Sequence, residues 1–419
     1  MMPAEPWTRR SFLLATAAAA AAANAAPVLP RKKIALIGTV VFVHSHAQHF
    51  LDRLALGYAW GGQWQPPQVD LAALYIDQFP ANDVARSRAS RYNIPIFPSI
   101  ADALTLGSGH LAVDGIVIIG EHGNYPQNEK GQTLYPRYEF FQEVMKVFEA
   151  SGRSVPVFND KHLSTEWKKC ASMVADCRRL AFPFLAGSSL PVTRRLPAID
   201  LPWDTPLVES VCAGYGAVER YDFHGLETAQ CMSERRRGGE VGIRSVQALR
   251  GAKMWERVAG QVKTQRLLCA ALSRSHTLPV EEGYPSAPVS FDWARRVFPD
   301  AYAYFIEHRD GFRTTLCMLP IRDFNYAGLG ESGAITSCQM YLPMPPSNAT
   351  TADFFNPLVH HIERMVLENR APYPVERTLL TSGMLLAAID SLHRDGALIE
   401  TPEMEVRYSA PKESLYWID

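Results

Sequence analysis

The sequence predicts an α/β fold in two parts: an N-terminal doubly wound parallel sheet, then a C-terminal α/β domain with an open, mostly antiparallel sheet. Two observations lead to this prediction. From residue 32 to about residue 160, short apolar segments alternate with amphipathic helical segments, which is typical of a parallel sheet covered on both faces. After about residue 165 the strand-like segments alternate polar and apolar residues, as antiparallel strands do. The 419 residues suffice for two full cores.

In the first domain, 32–164, short apolar runs predict the strands. Strands are predicted in KKIALIGTVV, VDLAALYID, IPIFPS, DGIVIIG and SVPVFND. Helices are predicted in HAQHFLDRLALGY, NDVARSRASRYN and PRYEFFQEVMKVFEASG, the last closed by a glycine. The segment AWGGQWQPPQ is rich in glycine and proline, so we expect a loop insertion there.

The second domain, 165–419, contains longer strand-like segments and several helices. Strands are expected in LPVTRRLPAIDL, AYAYFIEHRDG and FRTTLCMLPIR. Helices are expected at about 225–236 and 250–272, and in the two C-terminal segments FFNPLVHHIERMVLENRAPYP and ERTLLTSGMLLAAIDSLHRDG. An open sheet favours self-association, so we expect a homo-oligomer.

The N-terminus has the pattern of an export signal. Arg9 and Arg10 precede Ser-Phe-Leu-Leu and an alanine stretch that ends in Ala-Asn-Ala, which is a charged region, an apolar region and a small-residue cleavage site. The paired arginines indicate the twin-arginine type. We therefore predict that residues 1–26 are removed and that the mature chain is exported to the periplasm or another extracytoplasmic space.

Composition excludes several classes of partner. The formal net charge is −1, which gives no reason to expect a nucleic-acid partner. No apolar run long enough to span a membrane follows the signal, so no membrane association is expected after its removal. The seven cysteines include no C-x-x-C pair, which argues against a zinc ribbon or a redox motif.

Three stretches together resemble one known family. They are Gly38-x-Val40-x-x-Val43-x-x-His46, the segment VFNDKHL at 157–163, and the C-terminal part from Phe355 onward. In this order and spacing they are similar to the phosphate-binding turn, the E-K-P-L strand end and the closing helices of the Gfo/Idh/MocA family, the glucose–fructose oxidoreductase and inositol dehydrogenase group. The resemblance covers nearly the whole mature chain.

The resemblance implies a Rossmann-like first domain, a nicotinamide cofactor, NAD(P), and a sugar, polyol or sugar derivative as substrate. It implies that Lys161 and the preceding Asp160, at the E-K-P position, are catalytic, and that His224 in the second domain acts as an acid/base group. With the strand ends included, the expected cofactor contacts are Gly38, Val40, Val43, His46, Asp77, Glu121 and His122.

Two departures leave nicotinamide binding open. In the turn, glycine normally allows the pyrophosphate to approach and lets the helix pack on the strand, but Val40 and Val43 occupy those positions. Asp77 comes 39 residues after Gly38, where about 20 is usual, although the insertion accounts for part of the difference. Asp77 can equally be a strand-end or helix-capping aspartate.

Histidines gather at the predicted strand ends. His44 and His46 follow the first strand, His122 follows Glu121, His162 follows Lys161, and His224 faces them from the second domain. Four of these, His46, His122, His162 and His224, are candidate metal ligands if a metal is present. The alternative is that they bind a polyhydroxylated ligand, to which Tyr135, Arg137 and Tyr138 are also suited.

Two functions from different classes remain open at this stage. The first is an exported oxidoreductase that acts on a sugar or polyol and uses Lys161 and His224 for proton transfer. The second is a nicotinamide-independent protein of the same fold, either a metal-assisted lyase or hydrolase or a carbohydrate-binding protein without catalysis.

Overall fold

Two large sheets and one small hairpin carry the strands of the chain in a computed structural model that describes residues 30–279, 289–343 and 351–418. The first large sheet is parallel, and the second is mixed and mostly antiparallel, which confirms the predicted fold class. The predicted signal peptide, 1–26, lies outside the described residues.

The parallel sheet forms from short apolar strands that alternate with helices. In chain order the elements are β1 Lys33–Gly38, α1 His46–Leu56, β2 Tyr58–Trp60, β3 Gln63–Gln65, β4 Asp70–Ile76, α2 Ala85–Tyr92, α3 Ile100–Thr105, β5 Gly115–Ile119, α4 Arg137–Ser151, β6 Val157–Asp160, α5 Trp167–Arg179 and β7 Phe184–Gly187. The strand order is β4-β1-β5-β6-β7. Since β4 and β5 lie on opposite sides of β1, the winding reverses between β1 and β5, and a crevice opens at their carboxyl ends.

In the part of the chain that the structure describes, the mixed sheet has eight strands in the order β15-β10-β11-β12-β9-β13-β14-β8, and only β9 and β12 pair in parallel. Its elements are β8 Arg195–Leu196, β9 Leu207–Tyr215, α6 Asp222–Ser233, β10 Ile243–Arg250, α7 Gly251–Ala259, α8 Val262–Leu272, α9 Phe291–Val297, β11 Tyr302–His308, β12 Arg313–Leu319, β13 Phe324–Gly330, β14 Ile335–Met340, α10 Asn356–Glu368, α11 Glu376–His393 and β15 Ile399–Glu400.

Four local predictions differ from the structure. The segment AWGGQWQPPQ is not a plain loop: it forms most of the β2–β3 hairpin, because Gly61 and Gly62 adopt the positive φ that a tight hairpin turn requires. IPIFPS contributes only one bridge, and LPVTRRLPAIDL only the two-residue β8, since the prolines in both segments lack an N–H donor. The 250–272 helix is two helices, α7 and α8.

The division at residue 164 stays a prediction. The parallel sheet itself continues past it through α5 and β7, and the first strand of the mixed sheet begins at Arg195.

Two buried helices join the sheets and position the second half of the site. Every residue of α6 is buried, and the helix packs on β9, β12 and β13 on one side and on α11 on the other. Helix α11 in turn contacts α5 of the first half and β10 of the second. The side chains of α6 are therefore fixed relative to both sheets.

Among the described residues, no helix is both long and apolar enough to cross a membrane. The seven cysteines are free thiols, and all except Cys269 are buried. Cys170 and Cys177 lie on α5.

Helix α6 packs on the mixed sheet through a glycine. A Cβ added at Gly225 would lie 2.5 Å from Leu316 Cδ1. We expect Gly225→Ala to lower the free energy of unfolding by about 1–3 kcal/mol, although alanine is the better helix former by about 1 kcal/mol. Denaturant unfolding measures this change. Gly330→Ala is the control, because the nearest atom to its Cβ is 3.7 Å away; equal effects of the two variants would contradict this account of α6 packing.

Candidate active site

The crevice begins at the turn between β1 and α1. This turn is longer than a G-x-G-x-x-G turn, and α1 starts only at His46, where the Ser45 side chain caps the helix by accepting the Gln48 amide. Val40 is buried, whereas Val43 is exposed. The Thr39 hydroxyl donates to the Glu121 carbonyl at 2.6 Å, which ties this turn to the loop after β5.

A buried ion pair lies at the centre of the crevice. Beyond the end of β6 the chain turns through Lys161, whose φ of 61° is unusual for a residue with a side chain. Lys161 is 6% exposed, and its Nζ lies 2.5 Å from Glu121 Oε1. Burial alone raises the pKa of Glu121, but the charge of Lys161, followed by that of His46, outweighs it and holds this pKa well below its usual value.

A second acid–base pair lies beside the first. His46 Nδ1 is 2.8 Å from Asp160 Oδ2 and 3.8 Å from Glu121 Oε2. The His46 ring also meets the Phe355 ring edge-on, with centroids 5.0 Å apart. Because Asp160 is buried, the carboxylate fixes the orientation of the imidazole, as in other His–Asp pairs.

Two further histidines line this cluster. His162 Nε2 accepts a hydrogen bond from Arg137 at 3.0 Å, and both side chains are buried. Burial, and then the charge of Arg137, holds the pKa of His162 well below its usual value, so the ring is neutral. His122 Nε2 lies 3.9 Å from Glu121 Oε1, and burial lowers the pKa of His122 to about 4.

His224 faces the cluster from α6, as predicted. Its ring packs among Tyr221, Phe223 and Phe324, and its Nδ1 has no hydrogen-bond partner among the described residues. Burial, and then the positive charge of Lys161, holds its pKa well below the usual value. The imidazole is therefore neutral and available as a hydrogen-bond partner.

Glu227, one helical turn further along α6, reaches the parallel sheet. Its Oε2 accepts the Ser188 amide at 2.8 Å and also the Ser188 hydroxyl, while its Oε1 lies over Gly187 without a partner. Burial raises the pKa of Glu227 to about 7. Sequence reasoning missed Ser188, since a serine after a buried strand carries no sign of its distant partner.

The far end of the crevice is spanned by the loop after β5. Tyr125 donates its hydroxyl to Asp77 Oδ2 at 2.6 Å, and Gln78 exchanges hydrogen bonds with the backbone of Asn124. Nearer the centre, the rings of Phe42 and His122 are in edge contact at 5.1 Å. Asp77 is thus at the end of its strand as predicted, but its carboxylate is engaged by tyrosine hydroxyls.

The structure brings most of the predicted site residues together. His46, Glu121, His122, Asp160, Lys161, His162 and His224 form the cluster described above. His44 is exposed and outside it, and Tyr138 faces Lys169 instead. Asp222 is occupied at the start of α6, where it accepts the Tyr304 hydroxyl.

The four histidines proposed as metal ligands do not form one ligand group. Of the described residues, a group with ligand atoms within 4.8 Å of one another consists of His46, Glu121 and Asp160. His162 is not in this group, and its Nε2 already accepts a hydrogen bond from Arg137.

Comparisons with known proteins identify the fold. No protein-family model matches the sequence, and no curated protein matches it. Among solved structures, GenD2 from gentamicin A biosynthesis, in complex with NAD, superposes with a TM-score of 0.55 at 13% identity, covering 90% of this chain and 97% of that one. A putative myo-inositol dehydrogenase from Sinorhizobium meliloti 1021 gives 0.54 at 12% identity, covering 88% and 99%.

A third structure, myo-inositol dehydrogenase from Lactobacillus casei in complex with NAD(H) and myo-inositol, gives a TM-score of 0.53 at 11% identity and covers 88% of this chain and 96% of that one. The chain shares the overall fold of these three structures. At these identities the similarity establishes the fold, and the function has to be argued from the site.

The raised pKa of Glu227 makes stability depend on pH. Between the ordinary value of 4.5 and about 7, the unfolded chain is ionised at this residue while the folded chain is protonated, so the stability of the wild type falls as pH rises through this range. Glu227→Gln has no carboxyl group to ionise, so its stability does not fall in this way. We expect the variant to gain on the order of 1–3 kcal/mol over the wild type between pH 4.5 and pH 8. Unfolding at several pH values tests this.

The exposed Glu331, which pairs with Arg237 at the surface, provides the control Glu331→Gln. A stability difference for Glu227→Gln that stays constant with pH would show that Glu227 is ionised in the folded protein.

Proposed function

We propose that the chain is an enzyme that acts on a hydroxyl or carbonyl group of a sugar, polyol or sugar derivative, in the oxidoreductase class. The buried Lys161–Glu121 pair at the carboxyl ends of the parallel strands carries this proposal. A buried ammonium can donate a hydrogen bond or a proton to a substrate oxygen, and the carboxylate beside it holds that ammonium in position. The fold shared with inositol and sugar dehydrogenases supports this class of substrate.

The surrounding polar atoms support a ligand with several hydroxyl groups. Glu121 Oε2, Asp160 Oδ1, His224 Nδ1 and Glu227 Oε1 are buried and have no hydrogen-bond partner among the described residues. Each such group costs about 1–3 kcal/mol unless something bonds to it. A polyhydroxylated substrate supplies donors and acceptors at several positions at once, which a simple apolar ligand does not.

A nicotinamide would supply the hydride acceptor that an oxidoreductase needs, and some structural neighbours are complexes with NAD. The residues here do not fit a dinucleotide bound in the usual way. The turn lacks the second and third glycines, Phe42 contacts His122 across the crevice, and Tyr125 occupies the Asp77 carboxylate.

This misfit favours a second candidate, a nicotinamide-independent protein of the same fold. Such a protein would use the same cluster for acid–base chemistry without net oxidation, as a lyase or hydrolase does, or would only bind a carbohydrate. The two candidates differ in one measurable respect, which is whether the purified protein contains or takes up a nicotinamide nucleotide.

Export is a separate proposal and does not depend on the site. It rests on Arg9 and Arg10 and on the cleavage pattern that follows them. Self-association through the mixed sheet likewise stays a prediction.

The role of Lys161 can be tested with Lys161→Met, which keeps the length of the side chain and removes the charge. We expect turnover of a polyol or sugar to fall by about 10²–10⁴-fold, the usual contribution of a proton-transfer group. The assay uses a panel of inositols and sugars, with and without NAD(P). Lys169→Met is the matched control, because Lys169 also pairs with glutamates but lies at the surface. Turnover that survives in Lys161→Met contradicts the proposed role.

The cofactor question can be tested with Tyr125→Phe, which frees Asp77 Oδ2 and leaves the Tyr75 hydroxyl on Asp77 Oδ1. If a dinucleotide uses Asp77 for its ribose, the variant binds NADH more tightly, by up to about tenfold for one released hydrogen bond. NADH fluorescence measures the affinity. Tyr92→Phe, which removes a hydroxyl from Asp52 instead, should leave it unchanged. Absence of NADH binding in both the wild type and Tyr125→Phe would favour the nicotinamide-independent candidate.

A further inference from the structure

Three side chains at the centre of the crevice offer ligand atoms to a common point. They are His46 at the first residue of α1, Glu121 after β5 and Asp160 at the end of β6, and their ligand atoms lie within 4.8 Å of one another. The distances from His46 Nδ1 are 2.8 Å to Asp160 Oδ2 and 3.8 Å to Glu121 Oε2. Two donors bound to one ion at about 2.0–2.2 Å lie roughly 3–3.5 Å apart, so small side-chain adjustments would bring this group to that spacing.

The unused oxygen atoms give an independent reason to expect a bound cation. Lys161 donates to Glu121 Oε1. The other oxygen, Oε2, lies on the His46 side and has no hydrogen-bond partner among the described residues. His46 takes Asp160 Oδ2, and Asp160 Oδ1 is likewise buried without a partner. Native proteins rarely leave two buried carboxylate oxygens unsatisfied in one cluster, and a bound cation would satisfy both of them.

The charges are compatible with this reading. The two carboxylates contribute two negative charges, and Lys161 offsets one of them. The imidazole of His46 binds a metal in its neutral form, so one negative charge is left for a cation to neutralise. An environment of one imidazole nitrogen and two carboxylate oxygens suits Zn²⁺, Mn²⁺ or Fe²⁺ better than the soft, thiolate-preferring metals.

We propose that the chain binds one divalent transition-metal ion between His46 Nδ1, Glu121 Oε2 and a carboxylate oxygen of Asp160. Three protein ligands leave coordination positions open, as in catalytic metal sites. Vicinal hydroxyl oxygens of a sugar or polyol are suitable ligands for those positions. The site lies in the same crevice as the proposed acid–base pair, but the binding of the ion does not depend on the identity of the reaction.

The ammonium of Lys161 pairs with Glu121, the same carboxylate that would bind the ion. It orients Glu121 but also repels a cation. Lys161→Met should therefore bind the metal more tightly than the wild type. A cluster of side chains that merely hydrogen-bonded to one another would give no such gain.

The experiment uses the purified chain, stripped by a chelator and then titrated with Zn²⁺ alone and with Mn²⁺ alone. Calorimetry gives the stoichiometry and affinity, and elemental analysis after gel filtration gives the metal retained. We expect one equivalent per chain, bound at least 100-fold more weakly in His46→Asn and in Asp160→Asn. A lost ligand should cost more than the 10–100-fold typical of a supporting residue.

His44→Asn is the matched control, because His44 is exposed, is two residues from His46 and has a positive φ that asparagine tolerates. It should bind the ion as the wild type does. Circular dichroism and the thermal midpoint of each metal-free variant check that it is folded. Absence of saturable binding to the wild type, or binding that survives in both His46→Asn and Asp160→Asn, would overturn the proposal.

Metal titration and the turnover assay test the metal site and the proposed function separately. Metal binding without turnover of any sugar or polyol contradicts the proposed function and leaves the metal site standing. Turnover in protein that binds no metal contradicts the metal site and leaves the proposed function standing.

Discussion

The ion pair between Lys161 and Glu121 is buried, and this burial constrains the residues around it. An ammonium removed from water is tolerated only when it is paired, because loss of one partner leaves an uncompensated charge that costs several kcal/mol. Lys161 can reach Glu121 because the chain leaves β6 with a φ of 61°. The pairing then leaves one Glu121 oxygen on the His46 side. Asp160, the residue before Lys161, contacts His46 Nδ1 and so positions the His46 ring.

The second half of the chain completes the site and adds little charge to it below pH 7. Helix α6 contributes a neutral imidazole, His224, and Glu227, whose pKa burial raises to about 7. Glu227 binds Ser188 just beyond β7, so the helix is anchored to the parallel sheet by hydrogen bonds as well as by packing. This anchor keeps His224 at a fixed distance from Lys161, which a helix held only by the mixed sheet would not achieve.

The sequence was sufficient to predict the gathering of His46, Glu121, Asp160 and Lys161. Buried parallel strands are recognisable as short apolar runs, and the carboxyl ends of such strands meet at one edge of the sheet. The sequence could not predict which of these side chains would pair with one another. That choice depends on one backbone angle at Lys161 and on side-chain conformations, neither of which leaves a pattern in the residues.

Other contacts were out of reach for different reasons. Ser188 and Glu227 are 39 residues apart and meet only after both sheets have formed. The β2–β3 hairpin was misread because glycine and proline mark a turn without showing that strands flank it. The sequence predicted that the second half forms an open, mostly antiparallel sheet. It could not predict the strand order, in which β9 lies between β12 and β13 although these two strands are consecutive in the chain.

One loop links the two ends of the crevice. The segment after β5 carries Glu121 at the ion pair and, four residues later, places Tyr125 on Asp77. Between them it contacts Phe42 through His122, and its first carbonyl is held by Thr39. A ligand that displaced Tyr125 would therefore move a segment that also positions Glu121. Since such coupling is reciprocal, a group bound at Glu121 would alter affinity at Asp77 by the same factor. The turn after β1 and the charged cluster are thus physically connected through this one loop.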